Sequence, residues 1–122
     1  MIKIVNLKTE ELVHRAVAGL QERKGHDVVS IDLRRIDNCF CSFFVIATGT
    51  SSTHINALLD SVEMFVKKDT GENPIHIEGA SNSSWVIVDY GDVVVHIFEE
   101  EARQYYDLES YWGDGKLVKE DL

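Results

Sequence analysis

Residues 84–103, Ser-Trp-Val-Ile-Val-Asp-Tyr-Gly-Asp-Val-Val-Val-His-Ile-Phe-Glu-Glu-Glu-Ala-Arg, leave this chain few ways to fold. Two β-branched runs flank Tyr90-Gly91-Asp92, and Gly91 can take the positive φ that a tight turn demands, so the stretch predicts a β-hairpin. With Gly91 and Asp92 in the turn, Tyr90 faces Val93, Val88 faces Val95 and Val86 faces Ile97. That face is wholly hydrophobic and must be core. The opposite face carries Trp85, Ile87 and Asp89 beside Val94, His96 and Phe98, a mixture of aromatic, aliphatic and titratable groups. A turn at Tyr90-Gly91 would keep the same two faces but set Asp89 against Asp92. Like charges across a pair repel, which favours the first register.

The rest of the composition bounds the class of protein. A chain of 122 residues fits one domain spanning 1–122. With 21 acidic against 12 basic residues, the formal charge is −9. Such a field repels phosphate backbones and anionic lipid and attracts cationic protein, so neither a nucleic-acid site nor a membrane is expected. No apolar run approaches the roughly 20 residues that span a bilayer, and the N-terminus lacks a signal pattern, so a cytoplasmic location is expected. Cys39 and Cys41 stand two apart in an apolar run, where a strand would align rather than join them.

Taken in order, residues 1–7 read as a lead-in strand or a frayed end. Leu12, Val13, Ala16, Val17 and Leu20 recur at helical spacing behind Thr9, an expected N-cap, and Lys24-Gly25 closes that helix. Residues 27–33 read as a strand. Residues 39–48 form an almost unbroken apolar run, expected to be the central strand, covered on both faces. Gly49-Thr50-Ser51-Ser52-Thr53 then leads into a second helix with Ile55, Leu58, Leu59 and Val62 on its buried face, and residues 67–73 read as a loop. Pro74 opens a short strand that ends at Glu78-Gly79, the hairpin follows, and Glu99, Glu100 and Glu101 suit the start of a third helix. Residues 113–122 read as a loose tail. The order predicts an α/β fold with a mixed sheet of about five strands packed against helices.

Catalytic patterns are weak. Gly49 to Ser52 before a helix could cradle a phosphate, which makes a nucleotide-binding transferase the competing reading. It lacks both the Gly-Lys-Ser/Thr ending of a P-loop and spaced glycines, so an ordinary N-cap is favoured. Ser51, His54 and Asp89 could be drawn as a nucleophilic triad, without any nucleophile elbow. A metal-dependent hydrolase would need His54, His76 and His96 to converge from three separate elements. Asp89 and Asp92 bracket a turn, where acids are common for conformational reasons. Trp85, Tyr105, Tyr106 and Trp112, interleaved with acids, point instead to a protein interface.

Four stretches carry a family resemblance: Phe44-Val-Ile-Ala-Thr-Gly-Thr-Ser-Ser-Thr-His54, Ile77-Glu-Gly79, the hairpin from Trp85 to Phe98, and Arg103-Gln-Tyr-Tyr-Asp-Leu-Glu-Ser-Tyr-Trp112. Together they resemble the ribosomal silencing factor family, also called Iojap-related, over nearly the whole chain to Trp112. The resemblance implies a fold related to nucleotidyltransferases but without their catalytic acids, no enzymatic activity and no cofactor. It implies binding to the large ribosomal subunit through ribosomal protein fourteen, at the face that meets the small subunit. Blocking that face would prevent subunit joining and repress translation when nutrients are scarce. Carried over, Trp85 as anchor with Asp89, Tyr90, Glu99, Glu100 and Arg103 would form the partner-binding set. Ser51, His54, Glu78, Gly91, Asp92 and His96 would hold the fold, no residue would be catalytic or bind metal, and a homodimer is compatible with the family.

Overall fold

The structure is a computed structural model that describes residues 7–37, 39–80 and 84–120. Its elements run α1 (Leu7–Glu22), β1 (His26–Asp32), β2 (Phe43–Gly49), α2 (Ser52–Thr70), β3 (His76–Glu78), β4 (Trp85–Asp89), β5 (Val93–Glu99), α3 (Glu100–Tyr106), α4 (Leu108–Tyr111) and β6 (Lys116–Lys119). The strands lie in one sheet in the order β3-β4-β5-β2-β1-β6. The β2–β5 pair is parallel, and the other pairs are antiparallel.

The hairpin takes the register expected from its hydrophobic alternation. Val86 pairs with Ile97 and Val88 with Val95, while the Tyr90 N–H donates to the Val93 carbonyl at 2.8 Å. Gly91 sits at φ 92°, and its N–H donates to Asp89 Oδ1 at 2.7 Å, a short local bond that fixes the turn. Side-chain alternation then divides the sheet. On one face Val86, Val88, Val93, Val95 and Ile97 join Phe43, Val45 and Ala47 against the apolar stripes of α1 and α2. β2 is buried along its entire length, as its unbroken apolar run requires.

The second face is covered more thinly. Val29, Ile31, Phe44, Ile46, Val94 and Phe98 form its core, with Trp85, Ile87, Ala102, Leu108 and Trp112 packed over them. The short helices α3 and α4, of 7 and 4 residues, cover it together with the loop before β2, which contributes Leu33, Ile36, Cys39 and Cys41. No helix among the described residues is long and apolar enough to cross a membrane.

Several sequence expectations are corrected. Among the described residues the sheet has six strands rather than five, and residues 116–119 are not loose. Lys116, Leu117, Val118 and Lys119 pair with Asp32, Ile31, Ser30 and Val29, and the Glu120 N–H donates to the Val28 carbonyl at 2.8 Å. This strand covers an edge of β1 that would otherwise leave backbone groups unpaired, and the buried Ser30 hydroxyl finds Glu120 Oε2 at 2.7 Å. Thr9 is no N-cap, because α1 already includes Leu7; it is buried in the first turn, its hydroxyl 3.3 Å from Asp92 Oδ2. Lys24, at φ 59°, takes the left-handed position expected of Gly25. Helix α2 continues through residues read as loop to Thr70, where Gly71 at φ 78° ends it and Lys67 and Lys68 sit favourably against the helix dipole. Strand β2 begins at Phe43, so Cys39 and Cys41 lie in the loop before it.

Candidate functional site: an aromatic face

The face left thinly covered is lined by aromatic rings in near-continuous contact. Trp85, on β4, lies 5.0 Å from Phe98 and 4.5 Å from Tyr106, ring centre to ring centre, and Tyr106 meets Tyr105 edge-on at 5.1 Å. On its other side the run passes through His96 to Phe44 at 4.6 Å, from Phe44 to Trp112 at 5.6 Å, and from Trp112 to Phe40 and Tyr111. The outermost rings are open to solvent: Phe40 is 69% exposed, Tyr105 83%, Tyr106 48% and Tyr111 79%. Trp85 and Trp112 are half-buried beneath them. Stacked and edge-on pairs of this kind hold their rings rigid, so a partner would meet a surface already ordered.

His96 anchors the centre. The Trp85 indole N–H donates to His96 Nδ1 at 3.1 Å, so the neutral ring carries its proton on Nε2. Among the described residues that buried Nε2 has no hydrogen-bond partner. Burial pushes the His96 pKa down to about 3 from an ordinary 6.5. The unfolded chain therefore takes up this proton first as pH falls, and stability is lost below pH 6.5 at about 1.4 kcal/mol per unit until the folded group also titrates. Between about pH 7 and about pH 5 the native chain should lose about 2 kcal/mol more than His96→Gln in urea unfolding, and equal losses would contradict this account of the site.

Acidic groups rim the face. Glu99, Glu100 and Glu101 are exposed at the start of α3, and Asp107 is exposed at the α3–α4 junction. Beside α3 a cavity of about 500 Å³ is lined by Asp27, Glu100, Gln104, Asp107, Glu109 and Lys119, with Arg103 in its wall. Arg103 is buried. Its guanidinium donates to Thr48 Oγ1 at 2.9 Å and pairs with Glu109 at 3.0 Å, tying α3 and α4 to β2.

The expected partner-binding residues thus divide. Trp85 and Asp89 belong to the second face, and Glu99 and Glu100 to its rim. Tyr90 does not: it shares the inward parity of Val86 and Val88 and is 7% exposed in the core beneath α1 and α2. Arg103 is likewise turned inward, so both side chains are largely buried. Phe40 and Tyr111 were not among the expected site residues. The polar Ser42 inside the run over 39–48 was the available sign that the strand starts later and leaves Phe40 in a loop.

The remaining motif residues hold local structure. Ser51 caps α2, its hydroxyl accepting from the His54 N–H at 3.0 Å; His54 accepts from the Thr50 N–H and reaches the Arg23 carbonyl at 2.8 Å. Of the N–H groups that would cradle a phosphate at Gly49 to Ser52, that of Thr50 is already taken by the His54 ring. A Cβ on Gly49 would lie 2.5 Å from Ile55 Cγ1, which accounts for the glycine by packing alone. Glu78 pairs with His76 at 2.8 Å, and the Asp92 carbonyl accepts from the Ser42 and Phe43 N–H groups. His54, His76 and His96 stay apart, and among the described residues no group of three or more His, Cys, Asp or Glu side chains could hold a metal ion.

A sequence profile of the family described as "Ribosomal silencing factor during starvation" matches residues 6–122. The chain belongs to the ribosomal silencing factor family. A ribosomal silencing factor of Chromobacterium violaceum is 34% identical over 110 residues, covering 90% of this chain and 88% of that one. The Bacillus subtilis ribosomal silencing factor is 31% identical over 119 residues, 95% of this chain and 97% of its own. A mouse protein named for mitochondrial assembly of the large ribosomal subunit is 35% identical over 98 residues, 79% of this chain and 42% of its own length. A Chromobacterium violaceum crystal structure superposes with a TM-score of 0.79 at 35% identity, covering 85% of each chain. A Bacillus halodurans structure gives 0.76 at 32% identity, covering 91% of this chain and 99% of that one. This ribosomal silencing factor is therefore a ribosome-directed regulator of translation.

Proposed function

We propose that this silencing factor docks its aromatic face on the large ribosomal subunit, through ribosomal protein fourteen, and occupies space that the small subunit needs. The observation that carries the reading is the ordered run of rings from Tyr105 to Phe40, exposed at its outer members and bordered by carboxylates. Exposed apolar surface of this extent, rimmed by charge, suits a protein partner, and aromatic residues dominate interface energetics. The acidic rim and the net charge of −9 select a basic partner and oppose direct contact with RNA phosphates. Trp85 is the anchor. Glu99, Glu100 and Asp89 steer and orient the encounter rather than supply most of its energy.

Sedimentation of purified subunits tests this directly. Added protein should leave the large subunit free and co-sediment with it, and the joined particle should return as salt screens the acidic rim. Undiminished joining with saturating protein would defeat the proposal, as would co-sedimentation with the small subunit alone.

A further inference from the structure

The loop before β2 places two thiols beside an exposed ring of the docking face. The chain bends at Phe40, so Cys39 and Cys41 are not set along a straight strand. Cys39 is half-buried and Cys41 is buried, both are free, both pack into the apolar cluster of the second face, and the Cys41 thiol donates to the Phe43 carbonyl at 3.7 Å. A cavity of about 290 Å³ opens onto this pair, lined by Arg34, Asp37, Cys39, Phe40, Cys41 and Ser42. Phe40, between the cysteines, is 69% exposed and leans on Phe44 and Trp112 at 5.9 and 6.1 Å.

We propose that Cys39 and Cys41 form a dithiol site oxidised by hydroperoxides, and that closing its disulfide displaces Phe40 from the aromatic face. Access decides the order of reaction. Cys41 is held as a thiol, its pKa pushed up to about 12 by burial, with the Cys39 thiol and the Asp89 carboxylate adding to the effect. Cys39, which borders the cavity and is less buried, reacts first: its sulfur attacks one oxygen of hydrogen peroxide, the O–O bond breaks, a sulfenic acid forms, and the other oxygen leaves as water. The Cys41 sulfur then attacks the Cys39 sulfur. The S–S bond forms as the S–O bond breaks, and the Cys41 proton departs with the hydroxide as a second water. The peroxide is reduced and the two thiols are oxidised. A disulfide across one intervening residue closes a small, strained ring, so a dithiol reductant reverses it readily.

The chemical step is tested on the full chain with stoichiometric hydrogen peroxide, read by intact mass and by thiol titration after denaturation. Both thiols should disappear, the mass should fall by their two hydrogens without any added oxygen, and dithiothreitol should restore both. Tryptophan emission should shift in step, because Phe40 packs on Trp112. Cys39→Ser and Cys41→Ser should instead retain oxygen or form covalent dimers. Persistence of both thiols, oxygen addition to the native chain, or a disulfide-linked dimer of the native chain would each overturn the site.

The effect on docking rests on the function proposed above. Oxidation should weaken large-subunit binding on the order of tenfold, about 1.4 kcal/mol, and the double serine variant should bind equally with or without peroxide. Equal affinity of the oxidised and reduced chains would overturn the link to docking. Failure of the reduced chain to bind would count against the docking proposal alone, since mass and thiol titration still decide the site.

Discussion

Trp85→Ala should weaken binding to the large ribosomal subunit at least about 30-fold, some 2 kcal/mol, in a direct binding titration. The indole is half-buried, stacks on Phe98, packs against Tyr106 and donates to His96. Its removal takes away the support on which Tyr106 rests and leaves a buried histidine acceptor without its donor. Stability should fall as well, by about 2–4 kcal/mol, from lost packing and an unpaired polar atom. Tyr106→Ala separates the two effects, because that ring is 48% exposed and its loss creates little cavity. It should reduce affinity in the same direction with a much smaller change in the urea midpoint. Affinity unchanged in both variants would place the docking surface elsewhere on the molecule.

Arg103→Ala should be among the most destabilising single changes, at about 3 kcal/mol in urea unfolding. Removing one member of a buried ion pair typically costs about 3–5 kcal/mol, since the partner charge is left buried without compensation. The lower end applies because the Glu109 side chain keeps 28% of its exposure and can be partly rehydrated. Thr48 Oγ1 also loses its donor. Changing Arg103 to Met and Glu109 to Leu together should recover much of the loss, as apolar replacement of a buried pair is often neutral or better. A loss below about 1 kcal/mol for Arg103→Ala would mean that the pair does not tie α3 and α4 to the sheet.

Much of this architecture was legible because alternation along the hairpin admits one consistent assignment of faces. The central position of β2 followed from an apolar run with no room for a wet side. At Tyr90 two expectations conflict: parity places it with Val86 and Val88 in the core, the family resemblance places it in the partner-binding set, and the structure follows the parity. Arg103 entered the partner-binding set through the family resemblance, and nothing in the local sequence signals that the fold turns it toward Thr48. The C-terminal strand carried almost no signal. Four exposed residues, two of them lysines, acquire strand structure because β1 offers an open edge. Phe40 was lost in an apolar run whose single serine marked a boundary between loop and strand.

The parallel pairing of β2 with β5 sets the timing of folding. Val45 must find Val95, after α2 and two further strands have been made, and closing so long an intervening segment slows the search for the native arrangement. Until β5 leaves the ribosome, β2 lacks its parallel neighbour, and its aromatic and aliphatic side chains remain without half of their eventual cover. With this topology the sheet stays incomplete until β5 and β6 have been made, so the nascent chain passes through an interval in which early residues need protection from aggregation.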